Sequence, residues 1–420
     1  MVLTGTLGIG SNHGVIDAQD AGGSWSTLDT GALNHHRSSP QDHPTTVIRS
    51  TTHARAGLVG NPSDLFGGKV ISLLFDAFAA HVSLYESERL TVLPNTRDAT
   101  SFDDMAELVR YRRQHGYYGG LRLIEAILVR FDHCCRQRGI ALPRRNCTIE
   151  YHSDIPFGVG LGGSSAIITA VFTALMEFYE LTEADVPRAE QPNVILEAET
   201  VELGISAGPQ DRVVAVYGGV VAMDFSPGAY ARNGGRHGDY RRLAPELLPP
   251  LFVAYHEGLS KSSGSIHNVV RYRAEVEHDR AITEAMAAKA ALVDEALAAL
   301  HQGHGDRIGA IMDRDFDLRQ SVYGLPPDQI RMIAIAREHG AHAKFTGSGG
   351  AAIGTYQDAA HLRLLKGAYE DEGFTVVPVR VAVTDRPSRS VPGAGVDEAA
   401  AGKPDPPAPV PVDVESAARR

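Results

Sequence analysis

The sequence predicts an α+β fold in two domains, and three observations lead there. The chain has 420 residues, 43% of them hydrophobic, which is more apolar material than one core usually holds. Strand-like and helix-like segments alternate, but without the regular repeat of a doubly wound sheet. A Gly/Pro/Arg-rich stretch, FSPGAYARNGGRHG (225–238), separates two halves of ordinary globular composition. The expected partition is a disordered N-terminal extension over 1–50, one domain over 51–225, a second over 226–384 and a disordered Pro/Ala-rich tail over 385–420.

The elements follow in order. Residues 1 to about 50 are rich in Gly, Ser, Thr, Asp and His, with no hydrophobic period, and read as loop or disorder. ARAGLVG (54–60) is a short apolar run ending in glycine. GKVISLLFDAFAAHVSLYES (68–87) alternates and is β-branched, which suggests a hairpin or two strands. GGLRLIEAILVRFDHCCRQRG (119–139) sets Leu123, Ala126, Ile127 and Phe131 at helical spacing and stops at Gly139. NCTIEYHSDIP (146–156) reads as a strand ending before Pro156. SSAIITAVFTALMEFYEL (164–181) is an apolar helix, a second helix covers about 193–203, and VVAVYGGVVAMDF (213–225) supplies a turn and a buried strand. In the second half, LFVAYHE is a strand, 265–302 holds two long helical stretches, and DQIRMIAIAREHG is a helix with a glycine stop. AAIGTYQ, HLRLLKGAYEDEG and FTVVPVRVA then read strand, helix, strand. The last 34 residues, from Pro387, carry seven of the 23 prolines and read as a flexible tail.

Composition narrows the function classes. With 40 Lys+Arg against 51 Asp+Glu the net charge is -11, a poor match to a polyanion binder. Three cysteines, Cys134, Cys135 and Cys147, make no disulfide framework and no CxxC pair. No run of about 18 apolar residues predicts a membrane span, and the first residues lack the pattern of a signal peptide. The expectation is a cytoplasmic globular protein with a small-molecule ligand and no nucleic-acid or membrane partner. The 18 histidines form no HExxH or other metal spacing.

The strongest local signal is Ile155-Pro156-Phe157-Gly158-Val159-Gly160-Leu161-Gly162-Gly163-Ser164-Ser165-Ala166. Its glycines end a strand and open a helix. Glycine lets backbone approach a ligand closely, several N–H groups can converge on one anion, and a helix start adds unpaired N–H groups and a positive dipole end. A triphosphate is the obvious guest. Ser164 or Ser165 can cap the helix or ligate the Mg²⁺ that accompanies ATP. A glycine-rich turn with a serine cap explains one or two of the glycines, not all of them. The loop has no Gly-Lys-Ser/Thr ending, so it is not a Walker A motif.

Pro156–Ala166 resembles the phosphate-binding motif of the GHMP kinases, the superfamily of galactokinase, homoserine kinase, mevalonate kinase and phosphomevalonate kinase. Its usual form is P-x-x-x-G-L-G-S-S-A; here one more glycine stands before the serines. Arg55-Ala56-Gly57-Leu58-Val59-Gly60-Asn61-Pro62-Ser63-Asp64 resembles the N-terminal motif, usually R-x-x-x-x-G-E-H-x-D. Lys344-Phe345-Thr346-Gly347-Ser348-Gly349-Gly350-Ala351 resembles the C-terminal glycine-rich motif. The stretches GLVGNPSD, HGYYGGLRL, GISAGPQDRVVAVYGGVVAMDF, LLPPLFVAY and AKFTGSGGA look like the glucuronokinase branch. The resemblance implies a ribosomal-protein-S5-domain-2-like N-terminal, ATP-binding domain and a ferredoxin-like C-terminal domain. It implies an ATP- and Mg²⁺-dependent sugar 1-kinase acting on a sugar acid, D-glucuronate in the first place. Another sugar, or a non-catalytic sugar-binding regulator on the same fold, stays open.

The resemblance also implies roles. Asp211, after Gly208-Pro209-Gln210, stands where relatives carry a catalytic aspartate; a carboxylate there can orient the acceptor hydroxyl and take its proton, and its alternative is an Asx-turn. Arg55 matches an arginine near the transferred phosphate, its alternative being a surface residue. Pro156, Gly158, Gly160, Leu161, Gly162, Gly163, Ser164, Ser165 and Ala166 would form the nucleotide loop. Ser165 and Glu199 would hold Mg²⁺, with Glu197 and Glu202 as competing carboxylates. Asp64, Tyr118, Gly347 and Gly349 would line the sugar site, where Asp64 can accept two hydroxyl hydrogen bonds. Lys344 adds charge at the site or lies at a strand edge. Arg122, Arg212, Arg271 and Arg273 are the candidates for binding a uronate carboxylate.

Overall fold

In this computed structural model the described residues are 46–95, 98, 103–115, 119–259 and 270–383. The core of the first half is a sheet built on one long strand. β1 (Ile48–Val59) runs antiparallel to β2 (Lys69–Ser87), from Ile48 opposite Leu84 to Val59 opposite Ile71, with register shifts after His53 and after Gly57. The alternating stretch expected to be a hairpin or two strands is thus a single strand of 19 residues. It stays continuous because two strands share its other edge end to end. β4 (Asn146–Ser153) pairs with Ala80–Ser87, and β5 (Val220–Asp224) pairs with Lys69–Leu73, so backbone groups at both ends find partners. β3 (Thr91–Val92) adds to β4, and β6 (Asp239–Leu243), beyond the expected division at 225, adds to β5. β1 also begins earlier than the loop reading of residues up to about 50.

The helices of this half are α1 (Met105–His115), α2 (Gly120–Gln137), α3 (Gly163–Phe178), α4 (Gln191–Glu197), α5 (Gln210–Tyr217) and α6 (Pro227–Arg232). The predicted α2 face packs as its spacing requires: Ile124, Ile127 and Phe131 join Ile168, Val171, Phe172 and Leu175 of α3 in one cluster. VVAVY, read as part of a turn and strand, is instead the body of α5. Gly218 and Gly219, both at positive φ, break the chain between that helix and β5.

The second sheet comprises β7 (Leu251–Tyr255), β8 (Ala343–Phe345), β9 (Ala351–Thr355) and β10 (Thr375–Pro378), all antiparallel in the order β10-β7-β9-β8. Taken in chain order this is fourth, first, third, second, with helices after the first and third strands: a ferredoxin-like arrangement. Its helices include α7 (Arg280–His301), α8 (Ile308–Val322), α9 (Pro327–Glu338) and α10 (Ala359–Glu370). One apolar cluster unites Leu58 and Ile71 of the first sheet with Leu292, Val293 and Met312 of α7 and α8 and Ile353 of the second. The last residues of β1 are therefore buried on both faces, and they lead directly into the segment 60–66.

Phe172 is fully buried where α2 and α3 meet, edge-on to Phe131 with ring centroids 5.8 Å apart. Phe172→Ala is expected to lower unfolding free energy by about 3–5 kcal/mol, read as a lower urea midpoint.

Candidate active site

Three segments far apart in sequence meet around one guanidinium. Arg55 lies on β1, opposite Leu74 of β2, and is only 6% exposed. Its Nη1 donates to the Thr346 carbonyl at 2.6 Å and the Gly160 carbonyl at 3.2 Å, and its Nη2 donates to Asp211 Oδ2 at 2.6 Å. Its backbone N–H donates to the Leu161 carbonyl at 2.9 Å. The surface-arginine alternative is thereby excluded: a buried guanidinium is tolerated because a carboxylate and fixed carbonyls surround it.

The glycine-rich loop wraps this arginine. Gly158, Gly160 and Gly162 take φ of 69, 78 and 74°, alternating with ordinary residues, the left-handed backbone that glycine adopts at no steric cost. Gly162 is the N-cap of α3 and no side chain caps the helix, which corrects the serine-cap reading and leaves the first N–H groups of α3 without a side-chain acceptor. Gly163 opens α3, and Ser164 follows half-buried. Ser165 is 2% exposed and its Oγ has no hydrogen-bond partner among the described residues. An orphaned buried hydroxyl in the first turn of that helix suits a hard cation's oxygen coordination. Pro156, Leu161 and Ala166 are buried, and the last two belong to the main core; they hold the loop rather than line a cavity.

The second glycine loop presses on the first. A Cβ on Gly347 would lie 2.5 Å from the Gly160 carbonyl oxygen and 2.9 Å from Arg55 Nη1, so any side chain there would force the two loops apart. Gly349 lies against the Gln329 side chain, 2.6 Å from where its own Cβ would stand to Gln329 Oε1. Lys344 is not an exposed strand-edge residue. It is 2% exposed, and its Nζ donates to the Gly57 carbonyl at 3.2 Å and to Asn61 Oδ1, and pairs with Asp315 at 3.2 Å.

Asp211 sits in the first turn of α5, not on a free turn. Its Oδ2 is 3.8 Å from where a Cβ on Gly162 would stand, so the glycine loop and this carboxylate are neighbours. Asp64 is 5% exposed and held by Gln210, whose Nε2 donates at 3.0 Å and backbone N at 3.4 Å. Burial first, and the charge of Asp211 second, push the Asp64 carboxyl up to about 7. Glu199 is the inward one of the three competing carboxylates: it is 3% exposed and bonded to Arg212, while Glu197 and Glu202 both face Arg130. Its alternative as a solvated helical residue is excluded.

The arginine candidates separate. Arg212 is buried on Glu199 and the Gly208 carbonyl; Arg271 pairs with Glu275 within its own helix, and Arg273 holds Asp279 and the Val322 carbonyl. Arg122 lies on the surface side of α2's start. Sequence reading passed over Arg319, 2% exposed, whose Nη1 and Nη2 donate to the carbonyls of Gly347 and Ser348 at 2.7 and 3.1 Å. No motif marks it; only its helical position in α8, facing the buried Asp315, sets it apart. Tyr118 falls outside the described residues. Cys134, Cys135 and Cys147 are buried and free, and burial pushes Cys135 and Cys147 up to about 11. Among the described residues no cluster has the geometry of a protein-only metal site, and no helix is long and apolar enough to cross a membrane.

The Asp64 shift carries a stability consequence. The unfolded side chain loses its proton near 3.8 and the folded one near 7, so between these values the native state binds more protons and stability falls as pH rises. Asp64→Asn should flatten that slope between about pH 4 and 7, measured by urea unfolding across the range.

Comparison with known proteins fits this geometry. The GHMP kinases N terminal domain model matches residues 123–219, and the GHMP kinases C terminal model matches 296–373. The chain is 40% identical over 344 residues to Probable glucuronokinase 2 of Arabidopsis thaliana, covering 80% of this chain and 92% of that protein. It is 38% identical over 343 residues to Glucuronokinase 1 of the same plant, covering 80% and 93%. Among solved structures it is similar in fold to Lactococcus lactis galactokinase complexed with galactose, with a TM-score of 0.63 at 14% identity over 80% of this chain and 94% of that one. It is likewise similar to Streptococcus pneumoniae phosphomevalonate kinase in complex with phosphomevalonate and AMPPNP, with a TM-score of 0.62 at 15% identity over 79% and 100%. The chain therefore belongs to the GHMP kinase superfamily and, within it, to the glucuronokinase family.

Proposed function

We propose that the protein transfers the γ-phosphoryl of ATP to the anomeric hydroxyl of D-glucuronate, giving D-glucuronate 1-phosphate. The observation that carries the reading is the Arg55–Asp211 ion pair at the junction of the two glycine loops. It sets a proton acceptor and a cation side by side, next to the backbone amides at the start of α3.

In this reading the amides of 158–166 cradle the phosphates. Asp211 orients the sugar hydroxyl and accepts its proton as the O–P bond forms. Arg55, already fixed by two carbonyls, meets the charge on the transferred phosphoryl without having to reorganise. Asp64 and the backbone at Gly347 and Gly349 position the sugar. Ser165 Oγ and the Glu199 oxygen not engaged by Arg212 are the groups that would hold Mg²⁺. Such an ion, when bound, neutralises phosphate charge. The first sheet with its helices, residues 48–243, would form the ATP-binding domain, and the second sheet with its helices the domain that closes the site.

The test is ATP-dependent phosphorylation of a panel of free sugars. Glucuronate should be the preferred acceptor; faster turnover of neutral hexoses would overturn the acid assignment, and absence of turnover on every sugar would favour a binding regulator. In Asp211→Asn, kcat should fall by about 10²–10⁴-fold while ATP binding, followed by calorimetry, is retained.

A further inference from the structure

Native interiors rarely leave a polar atom without a partner, and one such atom lies a helical turn from Arg319, the residue that holds the carbonyls of the second glycine loop. The Tyr323 hydroxyl belongs to a residue only 7% exposed and has no hydrogen-bond partner among the described residues. Tyr323 follows the last turn of α8, four residues after Arg319. The Arg319 guanidinium carbon lies 5.0 Å from the Tyr323 ring centroid and 5.1 Å from that of Phe345, so both side chains are held rigidly. Asp64 is near enough for its charge to act on the Tyr323 hydroxyl, and Phe66, two residues after Asp64, packs on the cluster that contains Tyr323. Asp211, Asp64 and Tyr323 thus form a succession of electrostatic neighbours.

The charges around that succession are unequal. Behind the loop 347–350, Lys289, Lys344 and Arg319 are each no more than 2% exposed and share a single buried carboxylate, Asp315. Buried cations in excess of anions are costly, and burial lowers the pKa of all three, that of Lys344 to about 7. A sugar carboxylate would bring the Tyr323 hydroxyl, with Arg319 behind it, a charged acceptor, which makes a stronger hydrogen bond than a neutral sugar hydroxyl does. Asp64, with its carboxyl raised to about 7, keeps part of its population protonated near neutrality and so repels an incoming acid less than an ordinary aspartate would.

We propose that Tyr323, backed by Arg319, is a specificity-determining residue whose hydroxyl donates to the carboxylate of the sugar acid. This rests on the sugar-acid reading above and names the group that reads the acid. The experiment is Tyr323→Phe, which keeps the ring and removes one donor, with Kd for glucuronate and glucose measured by calorimetry beside kcat and KM for glucuronate and ATP. The expected result is a loss of about tenfold or more in glucuronate affinity, an equal loss of preference over glucose, and an unchanged KM for ATP. Unchanged glucuronate affinity overturns the proposal. So does an equal loss for both sugars, which marks a merely structural role, and so does a raised KM for ATP with sugar affinity intact, which moves the hydroxyl to the phosphates. Wild-type protein that binds glucuronate without phosphorylating it refutes the kinase reading while the Tyr323 contact is still decided by the Kd values. Wild-type protein that binds no sugar acid overturns both.

Discussion

The buried guanidinium of Arg55 is the constraint on which the site depends. Taking such a group out of water costs several kcal/mol, and the cost is offset only if every partner is in place. Here the partners come from three segments: the carbonyl of Gly160, the carbonyl of Thr346 and the carboxylate of Asp211. Removing any of them leaves a charge or a carbonyl unpaired in a dry place. The two glycine loops and the first turn of α5 are therefore held at fixed separation. The absence of Cβ atoms at Gly160 and Gly347 makes the approach sterically possible, since a side chain on either would strike the opposite loop.

A second layer of buried ions supports the first. Lys344 joins β8 to Gly57 of β1 and to Asn61 just beyond it, and Asp315 ties Lys344 to Lys289 of α7. Arg319 draws back the carbonyls of Gly347 and Ser348. Because a trans peptide carries its N–H opposite its C=O, the amides of Ser348 and Gly349 then point away from Arg319. Burial holds Lys344 down to about 7 and keeps Arg319 and Lys289 below their ordinary ranges. Electrostatic shape at the site is thus set by residues that themselves touch no solvent.

Much of this was legible before folding. The three glycine-bearing motifs and a helix starting near Ser164 were readable because their chemistry is local, glycines in series and a helix start, whereas Arg55 and Asp211 were marked as candidates by the family resemblance. The four-residue spacing of α2 predicted its buried face correctly. Other features misled. The alternation of β2 could not reveal that two strands divide its edge, so it read as a hairpin. VVAVY read as strand-like from its valines, yet packing of α5 against α3 and β2 outweighs that β propensity. Arg319 and Tyr323 carry no motif and were passed over.

Sequence alone determined that a glycine-rich loop precedes an apolar helix, because glycine content and helix starts are properties of short segments, and the family resemblance marked Arg55 and Asp211 as candidates. Tertiary structure alone decided which groups touch. Glu199 faces inward while Glu197 and Glu202 meet Arg130; Lys344 is buried; Ser165, not Ser164, presents the orphaned hydroxyl. These are outcomes of burial and of distance across a folded chain. Desolvation and Coulomb forces depend on neighbours brought together from hundreds of residues apart, and no local pattern encodes them.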